Sequence, residues 1–202
     1  MPDSRKICTN HRIDSRKICI MFAMSYFLMH NIVERKGWKN MKAKRYEYAN
    51  LKKMDLNSLY EGSQRTEELL EENILEVVRV EAPVTMNTLK ARLREAFNIG
   101  KISQKALDII NDIIKDNELV ITDNLYDKVL WPRSGEFKVD YLRDGDRQIY
   151  DIPHQEMKNL VIDLNKNGEE LYRAILAHFG GQVLSKKAEL YLRYCEEMAC
   201  EE

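Results

Sequence analysis

Residues 74–131 contain the pattern that decides the fold. They begin with Ile-Leu-Glu-Val-Val-Arg-Val-Glu-Ala-Pro-Val-Thr (residues 74–85), continue through two amphipathic segments, and end with Leu-Val-Ile-Thr (119–122), a polar turn and Lys-Val-Leu-Trp-Pro (128–132). Apolar residues at helical spacing, followed by two β-rich runs around a turn, predict three helices and a hairpin. This order of elements is typical of a winged-helix-like unit.

The first predicted helix covers residues 66–80. Its apolar residues recur at helical spacing. Thr66 is expected to be the N-cap, because two glutamates follow it in the first turn, where the helix dipole favours negative charge. Pro83 disfavours helical geometry at the residue before it, so the helix is expected to stop there. Residues 82–85 are then predicted to be extended, as in a short strand.

The second and third predicted helices form the centre of the unit. Thr85 or Asn87 is expected to cap the second helix, which ends at Phe97. Gly100 is the natural left-handed residue of the turn that follows. Ser103 is expected to cap the third helix, and the two β-rich runs beyond it are expected to pair as the wing.

Around this unit, which we place at residues 66–133, the sequence predicts three further segments. Residues 1–65 are assigned to a basic, poorly structured extension, 134–153 to a β-hairpin linker, and 154–202 to a second three-helix unit without a wing. The fold class is therefore mainly α with small β-hairpins (α+β), as tandem winged-helix-like three-helix units of which the second is truncated. Alternating apolar residues of the linker are expected to point inward: Phe137, Val139 and Tyr141.

An internal repeat supports the tandem arrangement. At an offset of 82 residues, apolar and capping positions of the first unit recur in the second. The first set is Leu89, Leu93, Phe97, Ser103, Ala106 and Ile110. The matching set is Leu171, Ile175, Phe179, Ser185, Ala188 and Leu192. Chance is the alternative, because the apolar faces of helices align easily.

The N-terminal segment differs from the rest in charge. Residues 1–66 carry 14 Lys+Arg against 6 Asp+Glu, whereas residues 67–202 carry 18 against 27. Asp-Ser-Arg-Lys-Ile-Cys occurs at residues 3–8 and again at 14–19, before an apolar run. Basic residues before such a run resemble a signal peptide, but no small-residue cleavage site follows, and the run is shorter than the ~20 residues of a spanning helix. An extension preceding a start at Met41 is the favoured interpretation.

The cysteines and histidines predict neither a disulfide framework nor a metal site. Cys195 and Cys200 are five positions apart on a predicted helix, so they do not share a face and are poor partners for a bridge or a metal. Reduced thiols in a cytoplasmic protein are expected. The four histidines have no partner at metal-ligand spacing. His154 is expected to start a helix and His178 to end one.

Four groups of short motifs occur in order along the chain. They are Tyr48-Ala49 with Leu51 and Tyr60, Glu81-Ala82-Pro83-Val84, Val129-Leu130-Trp131-Pro132, and Arg147, Ile149, Ile152-Pro153 and Glu156. Over roughly residues 46–199 the chain thereby resembles one family, a domain of unknown function. That domain typically forms the C-terminal end of large bacterial superfamily I helicase proteins that also carry a restriction-endonuclease-like nuclease domain.

The chain also departs from that family. Members usually have an Arg-containing turn before the third helix of each unit, where this chain has Lys101 and Gln182. No Gly-x-x-x-x-Gly-Lys-Ser/Thr phosphate-binding loop occurs, and no clustered Asp…Glu-x-Lys arrangement of a nuclease is found. The chain therefore resembles the accessory domain alone, as a fragment or a stand-alone relic.

The charge balance of the first unit disfavours direct contact with DNA. In helix-turn-helix proteins the recognition helix enters the major groove, and each neutralised phosphate needs a cation. Residues 67–133 hold 13 acidic and 9 basic residues, which disfavours tight binding by the first unit. Trp131 is expected to close the wing on the core rather than stack on a base. The candidates for nucleic-acid contact are cations on or beside the two third helices: Lys101, Lys105, Lys186, Lys187 and Arg193.

No nucleophile, acid/base pair or metal cluster at productive spacing is evident, so neither an enzymatic activity nor a cofactor is predicted. The favoured hypothesis is a non-catalytic accessory module of a DNA helicase/nuclease system, which assists nucleic-acid engagement or docking. Its expected partners are a helicase or nuclease protein and DNA, with no membrane. The alternative is a protein–protein interaction module without direct nucleic-acid contact.

Overall fold

The computed structural model describes residues 43–135 and 137–200, and within them the fold is mainly helical with small sheets, an α+β architecture. The helices are α1 (Leu56–Tyr60), α2 (Gln64–Glu81), α3 (Met86–Phe97), α4 (Gln104–Asp116), α5 (His154–Leu164), α6 (Gly168–His178) and α7 (Lys186–Cys200). The strands are β1 (Ala43–Arg45), β2 (Val84–Thr85), β3 (Val120–Asn124), β4 (Asp127–Trp131) and β5 (Leu142–Asp144). The N-terminal tandem motif and apolar run lie outside the described residues.

The helices and hairpin predicted between residues 66 and 133 are confirmed as elements. Thr85 caps α3 by accepting a hydrogen bond from the Thr88 amide at 3.2 Å. Ser103 caps α4 through the Ala106 amide, also at 3.2 Å. After these helices the chain adds β3 and β4, which pair antiparallel, and β4 also pairs with β2. The resulting sheet has the order β2-β4-β3.

The main core lies between α2, α3 and α4. Each helix contributes apolar side chains that recur three to four residues apart. Because a helix has 3.6 residues per turn, these side chains lie on one stripe of its surface. Burying one such side chain contributes about 1.5–3 kcal/mol, so this stripe is the main source of stability for the three helices. Its fully buried members include Leu70, Ile74, Val77, Leu89, Leu93, Ala106 and Ile110.

Two predicted helix-end signals are wrong. Helix α2 begins at Gln64, after Ser63, and Thr66 is buried within its first turn instead of capping it. The left-handed residue after α3 is Asn98, with φ of 54°, and not Gly100. Asn98 directly follows the last helical residue, where its amide closes onto preceding carbonyls. Asparagine tolerates this conformation better than other residues with a side chain.

The hairpin is longer and its turn tighter than predicted. Strands β3 and β4 leave only Leu125 and Tyr126 between them, whereas residues 123–127 were expected to form the turn. The strands pair as far as Asn124 and Asp127. Asn124 is held at the hairpin tip by hydrogen bonds to side chains distant in sequence, which explains this extension. This extension therefore depends on tertiary contacts that local β-propensity does not include.

The β-hairpin predicted for the linker at residues 134–153 is wrong. Strand β5 pairs in parallel with β1, with Ala43 opposite Leu142, and residues 149–151 form a single 3-10 turn. Of the residues expected to point inward, Val139 is buried and Tyr141 half-buried, but Phe137 is 45% exposed. A parallel partner so distant in sequence cannot be recognised from a local turn signal.

Residues 46–59 contribute buried side chains to the fold, in contrast to the poorly structured extension expected up to residue 65. We call residues 46–54 the strap, because they run along α2 and α3 without regular secondary structure and bond to both helices. The amide side chain of Asn73 holds the Lys52 backbone through two hydrogen bonds of 2.9 Å. The pattern was missed because the buried residues here have no regular spacing. They are Tyr46, Ala49, Met54 and Leu59.

The second half of the chain contains α5, α6 and α7. Ser185 accepts a hydrogen bond from the Ala188 amide at 3.2 Å, as Ser103 does at the equivalent position of α4. Leu171, Ile175 and Leu192 are fully buried like their counterparts 82 residues earlier. None of the described helices combines the length and apolarity that crossing a bilayer requires.

We expect Gly145→Ala to destabilise the fold. A Cβ at residue 145 would lie 2.8 Å from the Cβ of Tyr46, which is too close without a shift of the strap or of β5. Overpacking of this kind costs about 1–3 kcal/mol, and urea unfolding measures it. Gly100→Ala is the matched control, because a Cβ there meets no atom within 4 Å. Equal unfolding midpoints for the two variants would contradict the close approach.

Candidate functional site: a buried ion cluster beside a cationic cleft

A fully buried carboxylate lies at the end of α2. The Oε2 atom of Glu81 accepts a hydrogen bond from the Tyr46 hydroxyl at 2.7 Å. Its Oε1 atom accepts from the Ala49 amide at 2.9 Å and from Nε of Arg92 at 3.1 Å. Arg92 also donates to the Ala49 carbonyl at 2.6 Å. Glu81 thus joins the strap to α2 and α3 at one point.

Arg143 of β5 closes the same region from the other side. Its guanidinium donates to the carbonyls of Glu81 at 2.7 Å, Ala82 at 3.1 Å and Pro83 at 2.6 Å. The last carbonyls of a helix lack intrahelical partners, and Pro83 prevents the helix from continuing. Arg143 therefore supplies the donors that the end of α2 lacks.

Glu156, in the first turn of α5, is the second fully buried carboxylate. It pairs with the guanidinium of Arg143 and accepts the Arg143 amide at 3.1 Å. Arg147 binds it with both terminal nitrogens, at 3.1 and 2.9 Å. Burial by itself would raise the pKa of Glu156, but Arg147 and Arg143 outweigh it and lower that pKa. Glu156 is therefore ionised at neutral pH.

Tyr46 lies between the two carboxylates. The guanidinium carbons of Arg143 and Arg147 lie 4.9 and 4.3 Å from its ring centroid, within the range of cation–π contact. Burial and the neighbouring Glu81 raise the pKa of Tyr46, so its hydroxyl remains a donor. We call these residues the ion cluster: Tyr46, Glu81, Arg92, Arg143, Arg147 and Glu156.

A cleft of about 620 Å³ opens beside the ion cluster, between α3 and residues 146–151. Arg92 and Arg147 reach its wall from the cluster. The residues around the mouth carry mixed charge, with more cations than carboxylates. The cations are Lys90, Arg92, Arg94, Lys101 and Arg147, and the carboxylates are Glu95, Asp146 and Asp151. We call this site the cationic cleft.

Three of these cations have no internal partner. Lys90 and Arg94 are four residues apart on α3, which places them on one face of the helix, and Lys101 follows the turn after it. Within residues 43–135 and 137–200, none of the three makes an ion pair or a side-chain hydrogen bond. By contrast, Glu95 is paired with Arg92 at 2.5 Å.

Tyr48 is an exposed aromatic residue of the cleft, with 52% of its surface accessible. Its ring meets that of Tyr46 edge to face, with centroids 5.0 Å apart, and the guanidinium of Arg92 lies 5.1 Å from its centroid. The next residue, Ala49, is anchored through its backbone to Glu81 and Arg92. The ring is therefore exposed but held in place.

The structure brings together few of the predicted nucleic-acid contacts. Lys101 lines the cationic cleft. Lys105 donates to the Tyr60 carbonyl at 3.0 Å. Lys186 is exposed on α7 and is not among the residues that line the cleft. Arg193 is paired with Glu189 of the same helix at 3.2 Å.

Lys187, the fifth candidate, is also in contact with other side chains. Its Nζ lies 3.9 Å from the ring centroid of Tyr150 and 5.2 Å from that of Tyr126. The sequence reasoning missed Lys90, Arg94 and Tyr48. The i, i+4 spacing of the two cations on a predicted helix was the available signal.

The exposed side of α4 is acidic. Asp108, Asp112 and Asp116 are exposed there, and the exposed cations of the helix are Lys105 and Lys115. In the recognition helix of a helix-turn-helix protein this side faces the DNA. Carboxylates placed there repel phosphates, so the face is poorly suited to the major groove.

The tip of the β3–β4 hairpin is occupied by α7. Asn124 donates to the hydroxyl of the fully buried Tyr191 at 3.3 Å, and its oxygen lies 3.1 Å from Nδ1 of His154. The Tyr126 hydroxyl donates to the Lys187 carbonyl at 3.3 Å. The hairpin therefore packs within the chain at the end where a wing would contact DNA.

The remaining singled-out residues have structural positions. His154 and His178 are the first and last residues of α5 and α6, as predicted. Trp131 is 3% exposed and donates to Thr122 at 2.9 Å. It packs with Val129 and Val139 in a small apolar cluster, and not in the main core as expected. Cys195 is buried and Cys200 exposed, both as free thiols, and burial raises the pKa of Cys195 to about 12.

Among the described residues, no group of three His, Cys, Asp or Glu side chains is arranged to hold a metal ion. No protein-family model matches the chain, and searches of curated proteins and of solved structures returned no match.

We expect Glu156→Gln to unfold the protein at markedly lower urea concentration. The substitution removes the negative charge that faces two buried guanidiniums, and breaking a buried pair in this way costs about 3–5 kcal/mol. Glu169→Gln is the matched control, since Glu169 forms an exposed i, i+4 pair with Arg173 and should change little. If both variants unfold like the original protein, the cluster does not stabilise the fold.

The same variant should change the acid sensitivity. A folded-state pKa below the ordinary value contributes stability at neutral pH, and that contribution is lost as the pH falls through the folded pKa. Below about pH 4.5 the original protein should therefore lose stability more steeply than Glu156→Gln. Asp55 and Glu76, whose pKa values are also lowered, are present in both proteins and cancel. Urea midpoints measured from neutral to acidic pH test this; parallel curves would refute it.

Proposed function

We propose that this chain is a non-catalytic accessory module of a DNA helicase or nuclease system. In this proposal it has a tandem winged-helix-like architecture and serves a motor or nuclease protein by docking on it and by assisting its hold on nucleic acid. Three features support the proposal: the order of the elements, the positions of the motif residues, and the charge and accessibility of the two surfaces that winged-helix proteins use.

The order of elements supports the architecture. The first unit runs helix α2, strand β2, helices α3 and α4, then strands β3 and β4, with β4 between the other two strands. In the second half, three helices follow each other and the third begins with the same serine cap. Matching caps and buried positions at one offset favour a duplicated unit over a chance alignment.

The observation that carries the proposal is where the family-like motif residues lie. Glu81, Pro83, Arg147 and Glu156 belong to the ion cluster or contact it, at the junction of the strap, α2 and α5. Glu81, Pro83 and Glu156 are buried, and Arg147 pairs with Glu156, so these residues contribute to the stability of the fold. Residues that resemble a family and hold the fold together support a shared architecture, and the accessory role follows from that resemblance.

The surfaces favour docking over the reading of duplex DNA. The exposed face of α4 is acidic, and the hairpin tip is packed on α7. A recognition helix that enters the major groove needs cations to neutralise the phosphates around it. We therefore propose that the module acts by docking on the motor or nuclease protein. In this proposal α4 does not recognise duplex DNA.

The test uses the full chain and a purified superfamily I helicase–nuclease from the same source. We expect the chain to form a complex with that protein in size-exclusion chromatography and to change its rate of unwinding. The chain alone should hydrolyse neither ATP nor DNA. The absence of a complex, together with an unchanged unwinding rate, would overturn the proposal.

A protein–protein interaction module without nucleic-acid contact is the second candidate. The acidic face of α4 favours it, because such a face attracts a basic protein surface and repels phosphates. The two candidates differ in one measurement. The second candidate predicts a complex with the helicase but no binding of single- or double-stranded DNA, even at low salt.

A further inference from the structure

Three cations without a partner in the described chain line one cleft. Other exposed cations there also lack ion pairs, among them Lys53 and Lys115, but Lys90, Arg94 and Lys101 share a single cavity. Like charges at i, i+4 repel one another and destabilise a helix. An anionic ligand bound in the cleft would offset this repulsion.

The geometry points to a ligand with a row of phosphates. Lys90 and Arg94 are separated by about 6 Å along the axis of α3, which is similar to the distance between successive phosphates of a nucleic-acid strand. Lys101 continues the row beyond the turn. Asp146 and Asp151 line the opposite side of the cleft, so the phosphates would follow the α3 side.

Tyr48 supplies the second element of recognition. Its ring is more than half exposed, yet contacts with Tyr46 and Arg92 keep it from moving freely. Proteins that bind single strands combine a positive groove with aromatic rings on which bases stack. In a duplex the bases already stack on one another, so this ring has a partner only when the strand is single.

We propose that the cationic cleft binds a short stretch of single-stranded nucleic acid. Lys90, Arg94 and Lys101 contact its phosphates. The ring of Tyr48 stacks on one of its bases. This inference rests on the proposed function, for which it names the ligand and the site: the module holds the separated strand while its surface docks on the motor.

Fluorescence anisotropy with the full chain and an oligothymidine of about 12 nucleotides tests the site at low salt. The triple variant Lys90→Gln, Arg94→Gln, Lys101→Gln should bind at least about tenfold more weakly. Its slope of log affinity against log salt should be smaller by about 2, because three phosphate contacts are lost. The matched control is Lys128→Gln, Lys166→Gln, Arg173→Gln, which removes the same charge from exposed, paired cations and should bind normally.

The stacking contact has its own pair of variants. Tyr48→Phe keeps the ring and should bind as the original protein does. Tyr48→Ala should lose about 5- to 150-fold in affinity. Urea unfolding of each variant shows whether it is folded, so that weaker binding is assigned to the site and not to instability.

Three outcomes would overturn the inference. They are no binding of oligothymidine, equal loss in the cleft and control triples, and equal affinity for a blunt duplex of the same length. Tighter binding of oligouridine with the same pattern among the variants would support the site and assign it to RNA. A helicase complex without oligothymidine binding would refute the cleft alone. Oligothymidine binding without a helicase complex would refute the proposed function alone.

Discussion

The structure depends on two buried carboxylates that must be matched by buried guanidiniums. Glu81 is paired with Arg92, and Glu156 is paired with Arg143 and Arg147. Arg143 also donates to the backbone carbonyl of Glu81, which connects the two carboxylate sites. Removing charges from water costs several kcal/mol per ion unless pairing and hydrogen bonds offset it. Any packing that separates one partner is therefore strongly disfavoured. The ion cluster therefore connects the strap, α2, β5 and α5 to one another.

The same constraint shapes the cationic cleft. Arg92 and Arg147 are held by Glu81 and Glu156, and the Ala49 backbone next to Tyr48 is held by Glu81 and Arg92. The wall of the cleft is therefore rigid where it meets the ion cluster, while the row from Lys90 to Lys101 remains open to a ligand. Functional sites built on rigid supports orient their ligands more accurately than sites on free loops. In this protein the stabilising ion pairs and the proposed contacts share one structural support.

Local signals predicted much of the fold and little of the candidate site. The serine and threonine caps, the helix stop at Pro83 and the hairpin follow from interactions within a few residues, which sequence patterns record directly. The site required other information. Lys101 was predicted as a contact, but Lys105 and Arg193 contact groups within the chain, and Tyr48 belonged to a segment without periodicity. Which cations remain unpaired depends on neighbours that only folding brings close.

The sequence by itself determined the helical periodicity, the caps and the β-rich runs, because these depend on backbone propensity and on apolar spacing along one segment. Only the tertiary structure decided the parallel pairing of β5 with β1, the burial of the strap, the packing of the hairpin tip on α7 and the closure of the ion cluster. Each of these joins segments far apart in the chain. The free energy of such a contact comes from the desolvation and pairing of both partners. It is gained only when folding has brought the two segments together.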